Sequence, residues 1–241
     1  MKTSPIDSPV SLWSTVLQAM LASPVMWEQR TFRASLEVQY KGKGLAVMAA
    51  QPRPSRRQRS GYEWTAWRRC RVFADRGGGP SRTLDEWIAA ISHEHGADAD
   101  GSFTCVEELV VDELAWRARR LRSPDGEEEL SFRVGAGDRR PGWLVDRPPL
   151  NIPHFREMLD PGLVLSAVEF NSVTDEGDGW TISGRPRPEE RSHGYYPAIV
   201  HPYGDAWTAR IDRRWGSITR CGTTLKGTQL AYHSMAIELP G

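Results

Sequence analysis

The chain has 241 residues, of which 39% are hydrophobic and 26% charged, and its 31 Lys and Arg residues balance 31 Asp and Glu residues. This composition excludes a disordered chain, and no apolar run reaches the roughly 18 residues that a membrane-spanning helix needs. A formal net charge of zero gives no general attraction to nucleic acid or anionic lipid, so we expect neither a nucleic-acid partner nor stable membrane insertion.

The chain begins with an amphipathic helix followed by an alternating strand. Apolar residues recur at helical spacing over residues 13–21, which predicts a helix that Ser11 caps and Pro24 ends. Polar and apolar residues then alternate over residues 31–40, as in a strand with one buried face. We expect this strand to form an antiparallel hairpin with residues 45–50.

The middle of the chain mixes strands with one further helix. A long strand is predicted over residues 62–74, after an Arg-rich loop at 53–59. Residues 80–112 have a helical and acidic character and are interpreted as an insertion, with a helix that begins at the capping box of residues 83–86. Residues 116–122 and 128–134 flank a Ser-Pro-Asp-Gly turn, which predicts a second hairpin.

Two short helices and then five strands are predicted in the last third. One helix opens at Asn151 and Pro153, and Asp160 followed by Pro161 restarts a helix through Ala167. The strands are predicted at 169–174, 180–186, 205–212, 217–223 and 229–239. The fold class is therefore α+β, a single domain over residues 9–241 with about eight to eleven antiparallel strands.

Residues 96–107 are a candidate calcium loop. Asp98 and Asp100 stand at its third and fifth positions and Glu107 at its twelfth, and residues 106–114 are compatible with the helix that follows such a loop. Gly96 occupies the first position, where a carboxylate ligand is needed. An acidic surface loop is therefore the favoured interpretation.

His93 and His95 are a second metal candidate, at the end of the predicted second helix. A zinc site there would need a third ligand from elsewhere, such as His154, His193 or His201. Histidines that complement a helix dipole are the simpler explanation. We therefore expect neither a bound metal nor a cofactor.

The sequence contains no Gly-x-Ser-x-Gly turn and no cysteine in a recognisable catalytic context. If the protein is an enzyme, the candidate residues are His193, His201 and Tyr203, in an aromatic loop that would close over a cleft and supply a proton donor. The acidic cluster at residues 175–178 is interpreted as a solvated hairpin tip.

The wide, odd spacing of Cys70, Cys105 and Cys221 indicates reduced core cysteines rather than a disulfide framework. The first nine residues have no apolar signal-peptide region and no lipobox cysteine. We therefore expect a cytoplasmic protein.

Three segments carry a resemblance to a known family. They are Leu-Asp-Pro-Gly-Leu-Val-Leu at 159–165, Trp-Thr-Ile-Ser-Gly-Arg-Pro-Arg-Pro at 180–188, and the strand, turn and strand at 205–220. The chain resembles the LolA-like lipoprotein-carrier superfamily, which includes the glycolipid-carrying lipoproteins, over residues 11–75 and 114–239. The resemblance implies a half-barrel, a strongly curved antiparallel sheet with helices on its concave face, and it implies no catalytic residues.

Such a sheet would hold an apolar cleft under its helices, although a fully packed core is equally compatible with the pattern. We expect the cleft to be lined by apolar residues of the first helix and the sheet: Trp13, Val16, Leu17, Met20, Phe32, Leu36, Val38, Trp64 and Trp207.

The expected function is non-catalytic binding or carriage of a hydrophobic small molecule, lipid-like or polyketide-like. A biosynthetic enzyme of cyclase or isomerase type that uses the same cleft is the alternative. A regulatory protein that binds through loop 53–59 is a third interpretation.

Overall fold

The fold is described from a computed structural model of the chain. The structure describes residues 9–28, 30–41, 102–112, 115–122, 128–133, 153–187, 197–201 and 204–240.

Helix α1 spans Pro9–Glu28, with Pro24 inside it. The prediction that Pro24 ends the helix is wrong. A proline inside a helix removes one main-chain hydrogen bond, but Trp27, one turn further on, is fully buried. Its ring lies 5.0 Å from that of Phe32 and 5.1 Å from that of Trp215, measured between centroids. We attribute the continued helix to this tertiary packing, which outweighs the local preference.

In the described part of the chain, nine antiparallel strands form one sheet, in the order β4-β3-β2-β1-β9-β8-β7-β6-β5. The strands are β1 Phe32–Tyr40, β2 Phe103–Asp112, β3 Ala115–Arg122, β4 Glu128–Arg133, β5 Val168–Asp175, β6 Gly179–Pro186, β7 Ala206–Asp212, β8 Ile218–Leu225 and β9 Thr228–Glu238. The five predicted C-terminal strands and the predicted hairpin of β3 and β4 are confirmed.

The neighbours of β1 differ from the predicted ones. β1 pairs with β2 along one edge and with β9 along the other. A strand has two hydrogen-bonding edges, and both are occupied here, so the predicted hairpin between β1 and residues 45–50 is wrong. Residues 45–50 themselves lie outside the described residues, as do the predicted strand 62–74 and the helix that begins near residue 83.

Strand β2 corrects the helical character that was predicted for residues 80–112. Residues 103–112 of this segment are a strand that pairs with both β1 and β3. The helix suggested for residues 106–114 is therefore wrong over its described part. Leu109 and Val111 are buried while Val106, Glu108 and Val110 are less so, which is the period-2 pattern of a strand with one buried face.

Two short helical segments precede β5. Helix α2 spans Pro153–Leu159, and Pro161–Val164 forms a single 3-10 turn in place of the longer helix predicted to Ala167. Asp160 makes no side-chain capping hydrogen bond to this turn. No helix within the described ranges is long and apolar enough to cross a membrane.

The sheet is curved and open, and β4 and β5 stand at the two ends of its order in the described residues. The helices lie over its concave face, where α1, α2 and the 3-10 turn contact one another and α2 contacts β8. Gly216 fixes the position of α1, since a side chain at this residue would meet the main-chain oxygen of Ala19. The predicted α+β fold with a curved antiparallel sheet is confirmed.

Candidate functional site

The centre of the buried sheet face is polar, although its surroundings are apolar. One row of paired residues crosses six strands at this level. His233 and Cys221 are neighbours in this row, on adjacent strands. From β2 to β6 the row is Cys105, Val38, His233, Cys221, Ala209 and Ile182. His233 stands on β9, the fifth of the nine strands in the sheet.

Helix α2 places two further polar side chains against this position. His154 and Glu157 are three residues apart, so they lie on neighbouring positions of one helix face. Each is 1% exposed. The ring of His154 lies 4.9 Å from the ring of His233, measured between centroids, at an interplanar angle of 51°. The cover and the sheet therefore meet here through two histidines.

Glu157 binds the main chain of residues 197–201, the loop that contains the third histidine, His201. Its carboxylate accepts hydrogen bonds from the main-chain N–H groups of Ala198, at 2.8 Å, and Ile199, at 3.0 Å. The indole N–H of Trp207 donates to the carbonyl of Ile199 at 3.0 Å. The loop of residues 197–201 is thus anchored to both α2 and β7.

His201 lies in this anchored loop and is 3% exposed. Its main-chain N–H donates to the hydroxyl of Thr223 at 3.3 Å, two residues beyond Cys221 on β8. We call His154, Glu157, His201, Cys221 and His233 the buried histidine cluster. It joins α2, the 197–201 loop and strands β8 and β9 in the interior of the protein.

Burial keeps His201 and His233 neutral. Desolvation lowers the pKa of His201 to about 4. Desolvation, reinforced by charge repulsion from His154 and His201, also lowers the pKa of His233 well below its usual value. These imidazoles are therefore neutral hydrogen-bonding groups near pH 7.

Cys221 is a buried free thiol. Desolvation and the nearby charge of Glu157 raise the pKa of Cys221 well above its usual value. Since the thiolate is the nucleophilic form, this cysteine is unsuited to nucleophilic catalysis near neutral pH. For Cys221, the prediction of a reduced core cysteine is confirmed.

The ring of His233 makes no hydrogen bond within the described ranges. The residue is 1% exposed, and neither of its ring nitrogens has a hydrogen-bond partner among the described residues. A buried polar group without a partner costs about 1–3 kcal/mol. A neutral imidazole offers one donor and one acceptor, so His233 has one of each available.

The predicted cleft residues lie in one apolar core. Those that are at most 1% exposed are Val16, Met20, Phe32, Leu36, Val38 and Trp207. Trp13 and Leu17 are partly buried and pack against them, and Trp64 lies outside the described residues. Aromatic contacts link helix to sheet, because the ring of Phe170 lies 5.8 Å from that of Trp13 and 6.2 Å from that of Trp207. Ligand binding by these residues stays a prediction.

The candidate catalytic residues are only partly described. His201 belongs to the buried histidine cluster, whereas His193 and Tyr203 lie outside the described residues. The sequence interpretation missed His233 and Glu157 and considered His154 only as a zinc ligand. Alternate residues of β9, counted from Ala231, would have placed His233 on the buried face, since Ala231, His233 and Met235 are all buried.

Of the candidate calcium ligands, Glu107 alone lies in the described part of the chain, and the histidine pair proposed for zinc lies outside it. Glu107 is 3% exposed in strand β2, and Asp98, Asp100, His93 and His95 lie outside the described residues. Within the described ranges, no group of three or more His, Cys, Asp or Glu residues could hold a metal ion.

The acidic cluster at 175–178 is an exposed hairpin tip, as predicted. Asp175 pairs with Arg213, and both Glu176 and Asp178 pair with Arg210. A hydrogen bond from the main-chain N–H of Gly177, followed by the contact with Arg213, lowers the pKa of Asp175. These solvated ion pairs are not an acid–base site.

No protein-family profile matches the chain, and no curated protein matches its sequence. Among solved structures, the chain is similar to MucB, with 11% identity and a TM-score of 0.40 over 95% of this chain and 58% of that one. It is also similar to the Pseudomonas aeruginosa MucA/MucB complex structure, with 12% identity and a TM-score of 0.38 over the same shares. The chain thus spans 58% of the length of the chains that it matches.

Proposed function

We propose that the chain is a LolA-like binding protein that carries a hydrophobic small molecule, lipid-like or polyketide-like, between its curved sheet and its helices. We further propose that it acts in the cytoplasm. Burial of apolar ligand surface would supply the affinity, at about 25 cal/mol per Å².

The observation that carries the proposal is the apolar seam between α1 and the concave face of the sheet. Val16 and Met20 of α1 are fully buried against a sheet that remains hydrogen-bonded strand to strand. The seam is formed by side-chain packing, as between Trp13 and Phe170 or between Trp27 and Phe32. A ligand that enters between α1 and the sheet would therefore leave the hydrogen bonds between the strands intact.

The outer side of α1 provides a matched control for this seam. Val25 is 57% exposed on the same helix on which Val16 is fully buried. A larger side chain at Val16 would occupy the space under the helix, whereas the same side chain at Val25 would extend into solvent.

The experiment is a titration with the apolar dye N-phenyl-1-naphthylamine, whose emission rises in an apolar site. We expect saturable binding to the natural protein, weaker binding to V16F and unchanged binding to V25F, with circular dichroism to confirm that both variants fold. Absence of saturable binding to the natural protein, or equal binding by V16F and V25F, would contradict the proposal.

An isomerase-type enzyme that uses the same interior is the second candidate. It is favoured by His201, which lies in the buried histidine cluster with the carboxylate of Glu157. With a pKa of about 4, His201 would act as a weak base rather than as a proton donor near pH 7. Proton exchange into a bound substrate that H201Q abolishes would support this candidate, and exchange that H201Q leaves unchanged would exclude His201 from it.

A further inference from the structure

We propose, on the basis of the function proposed above, that the carried molecule has a neutral hydrogen-bonding end, such as a hydroxyl group, which His233 binds within the buried histidine cluster.

The ring of His233 has unused hydrogen-bonding capacity. Both ring nitrogens lack a partner in the part of the chain that the structure describes, and the residue is 1% exposed. A hydroxyl group both donates and accepts one hydrogen bond, so it matches a neutral imidazole with one free donor and one free acceptor. Binding such a group would remove the cost of a buried polar side chain without a partner.

His233 lies where the helical cover meets the concave face. It stands on β9, the fifth of the nine described strands in sheet order, and faces α2. Its neighbours in the row across the sheet are Val38 and Cys221, both buried, and Ala209 follows on the next strand. A polar end bound at His233 would therefore leave the rest of the molecule against apolar side chains.

Burial at His233 disfavours a charged end group. His233 is 1% exposed, so an anionic or a cationic end group bound there would lose its hydration. The charge of Glu157, which acts on the neighbouring Cys221, would oppose an anion. Two of the roughly four acceptor positions of the Glu157 carboxylate already receive the N–H groups of Ala198 and Ile199, which leaves fewer for a cation. The site therefore favours an uncharged polar end.

The experiment compares four ten-carbon chains as competitors of N-phenyl-1-naphthylamine at pH 8. They are 1-decanol, methyl decyl ether, decanoate and decylamine. We expect 1-decanol to bind about fivefold more tightly than the ether, which cannot donate a hydrogen bond. Decanoate and decylamine should both bind more weakly than 1-decanol.

The variant H233F tests the assignment to this residue. It keeps an aromatic ring but removes both nitrogens, so we expect it to bind the dye and to lose the preference for 1-decanol over the ether. S217A is the matched control, because the hydroxyl of Ser217 is also buried without a partner among the described residues. Ser217 lies four residues before Cys221, roughly 13 Å along the chain direction, and S217A should keep the preference.

The outcomes separate this inference from the proposed function. If neither the dye nor any of the four chains binds, the proposed function fails and the inference fails with it. If the dye binds but decanoate or decylamine competes best, or 1-decanol and the ether compete equally, the inference is overturned while the function stands. A preference for 1-decanol that persists in H233F overturns the assignment to His233. If H233F does not fold, the order of the four chains on the natural protein still decides the inference.

Discussion

The hydroxyl of Ser23 donates a hydrogen bond of 2.8 Å to the main-chain carbonyl of Leu159, a residue 136 positions further along the chain. Ser23 is fully buried, so this bond is shielded from water. It joins the last part of α1 to the end of α2, and these two helices form the cover of the concave face. The cover is therefore held together by its own polar contact as well as by packing against the sheet.

Replacement of Ser23 by alanine tests this contact. S23A removes the donor and leaves the carbonyl of Leu159 buried, so we expect the free energy of unfolding to fall by about 1–2 kcal/mol in urea denaturation. T15A is the control, because the hydroxyl of Thr15 bonds within α1 to the carbonyl of Ser11 on an exposed turn. If S23A is as stable as T15A, the hydrogen bond from Ser23 to Leu159 does not stabilise the cover.

The turn between β7 and β8 offers a second test of how α1 is placed. Gly216 and Gly227 both have positive φ angles, of 67° and 75°, which non-glycine residues adopt at a cost of about 1–2 kcal/mol. A Cβ atom at Gly216 would lie 2.0 Å from the main-chain oxygen of Ala19, whereas a Cβ atom at Gly227 meets nothing within 4 Å. We expect G216A to lower the thermal midpoint clearly more than G227A does.

The difference between these two variants isolates the contact with α1, because the backbone strain is common to both. Equal midpoints for G216A and G227A would contradict the close approach of α1 to this turn.

The buried histidines predict a loss of stability in mild acid. In the unfolded chain a histidine titrates near pH 6.5, whereas His201 in the folded protein has a pKa of about 4. The unfolded state therefore binds more protons between these values, so the stability is complete above pH 6.5 and decreases as the pH falls towards 4. The lowered pKa of His233 acts in the same direction.

Urea denaturation at pH 8 and pH 5 measures this effect. From His201 alone we expect a loss of about 2 kcal/mol between these two values. The lowered pKa of Asp175 acts below its ordinary value of 3.8 and so lies outside this window. H201N should reduce this loss, and equal urea midpoints for the natural protein at pH 8 and pH 5 would contradict neutral burial of His201 and His233.

Glu157 should contribute strongly to stability, because its carboxylate receives the N–H groups of Ala198 and Ile199. E157Q presents an amide group to one of these donors and removes the charge, so we expect a loss of about 2–3 kcal/mol in urea denaturation. E169Q, at an exposed position of β5, is the matched control and should stay within about 0.5 kcal/mol of the natural protein. Similar stabilities of the two variants would contradict the anchoring of the 197–201 loop.

Patterns local to one strand or one turn could be read from the sequence. The alternation of residues 32–40 predicted β1, and the turns of the last third predicted β5 to β9 to within a few residues. Relationships set by tertiary packing could not be read in this way. Pro24 was expected to end a helix that continues to the buried Trp27, and β2 was assigned to an insertion because its partner β1 lies some 60 residues before it in the chain.

The candidate site also combines local patterns that the sequence predicts with contacts that only tertiary packing creates. The apolar residues of α1 and β1 could be assigned to the core from their spacing, and the structure buries most of them. The buried histidine cluster could not be assembled from spacing, because His154, His201 and His233 come from a helix, a loop and a strand that are distant in sequence. Only strand register and the position of α2 bring them together.

Native mass spectrometry of the protein, both as purified from its own host and after incubation with 1-decanol, detects a bound hydrophobic molecule by its added mass. We expect a complex with one small molecule per chain, which disappears when the protein is denatured and is weakened by V16F but not by V25F. Only the unliganded mass in both preparations, under conditions that preserve other weak complexes, would contradict a hydrophobic ligand held between the sheet and its helices.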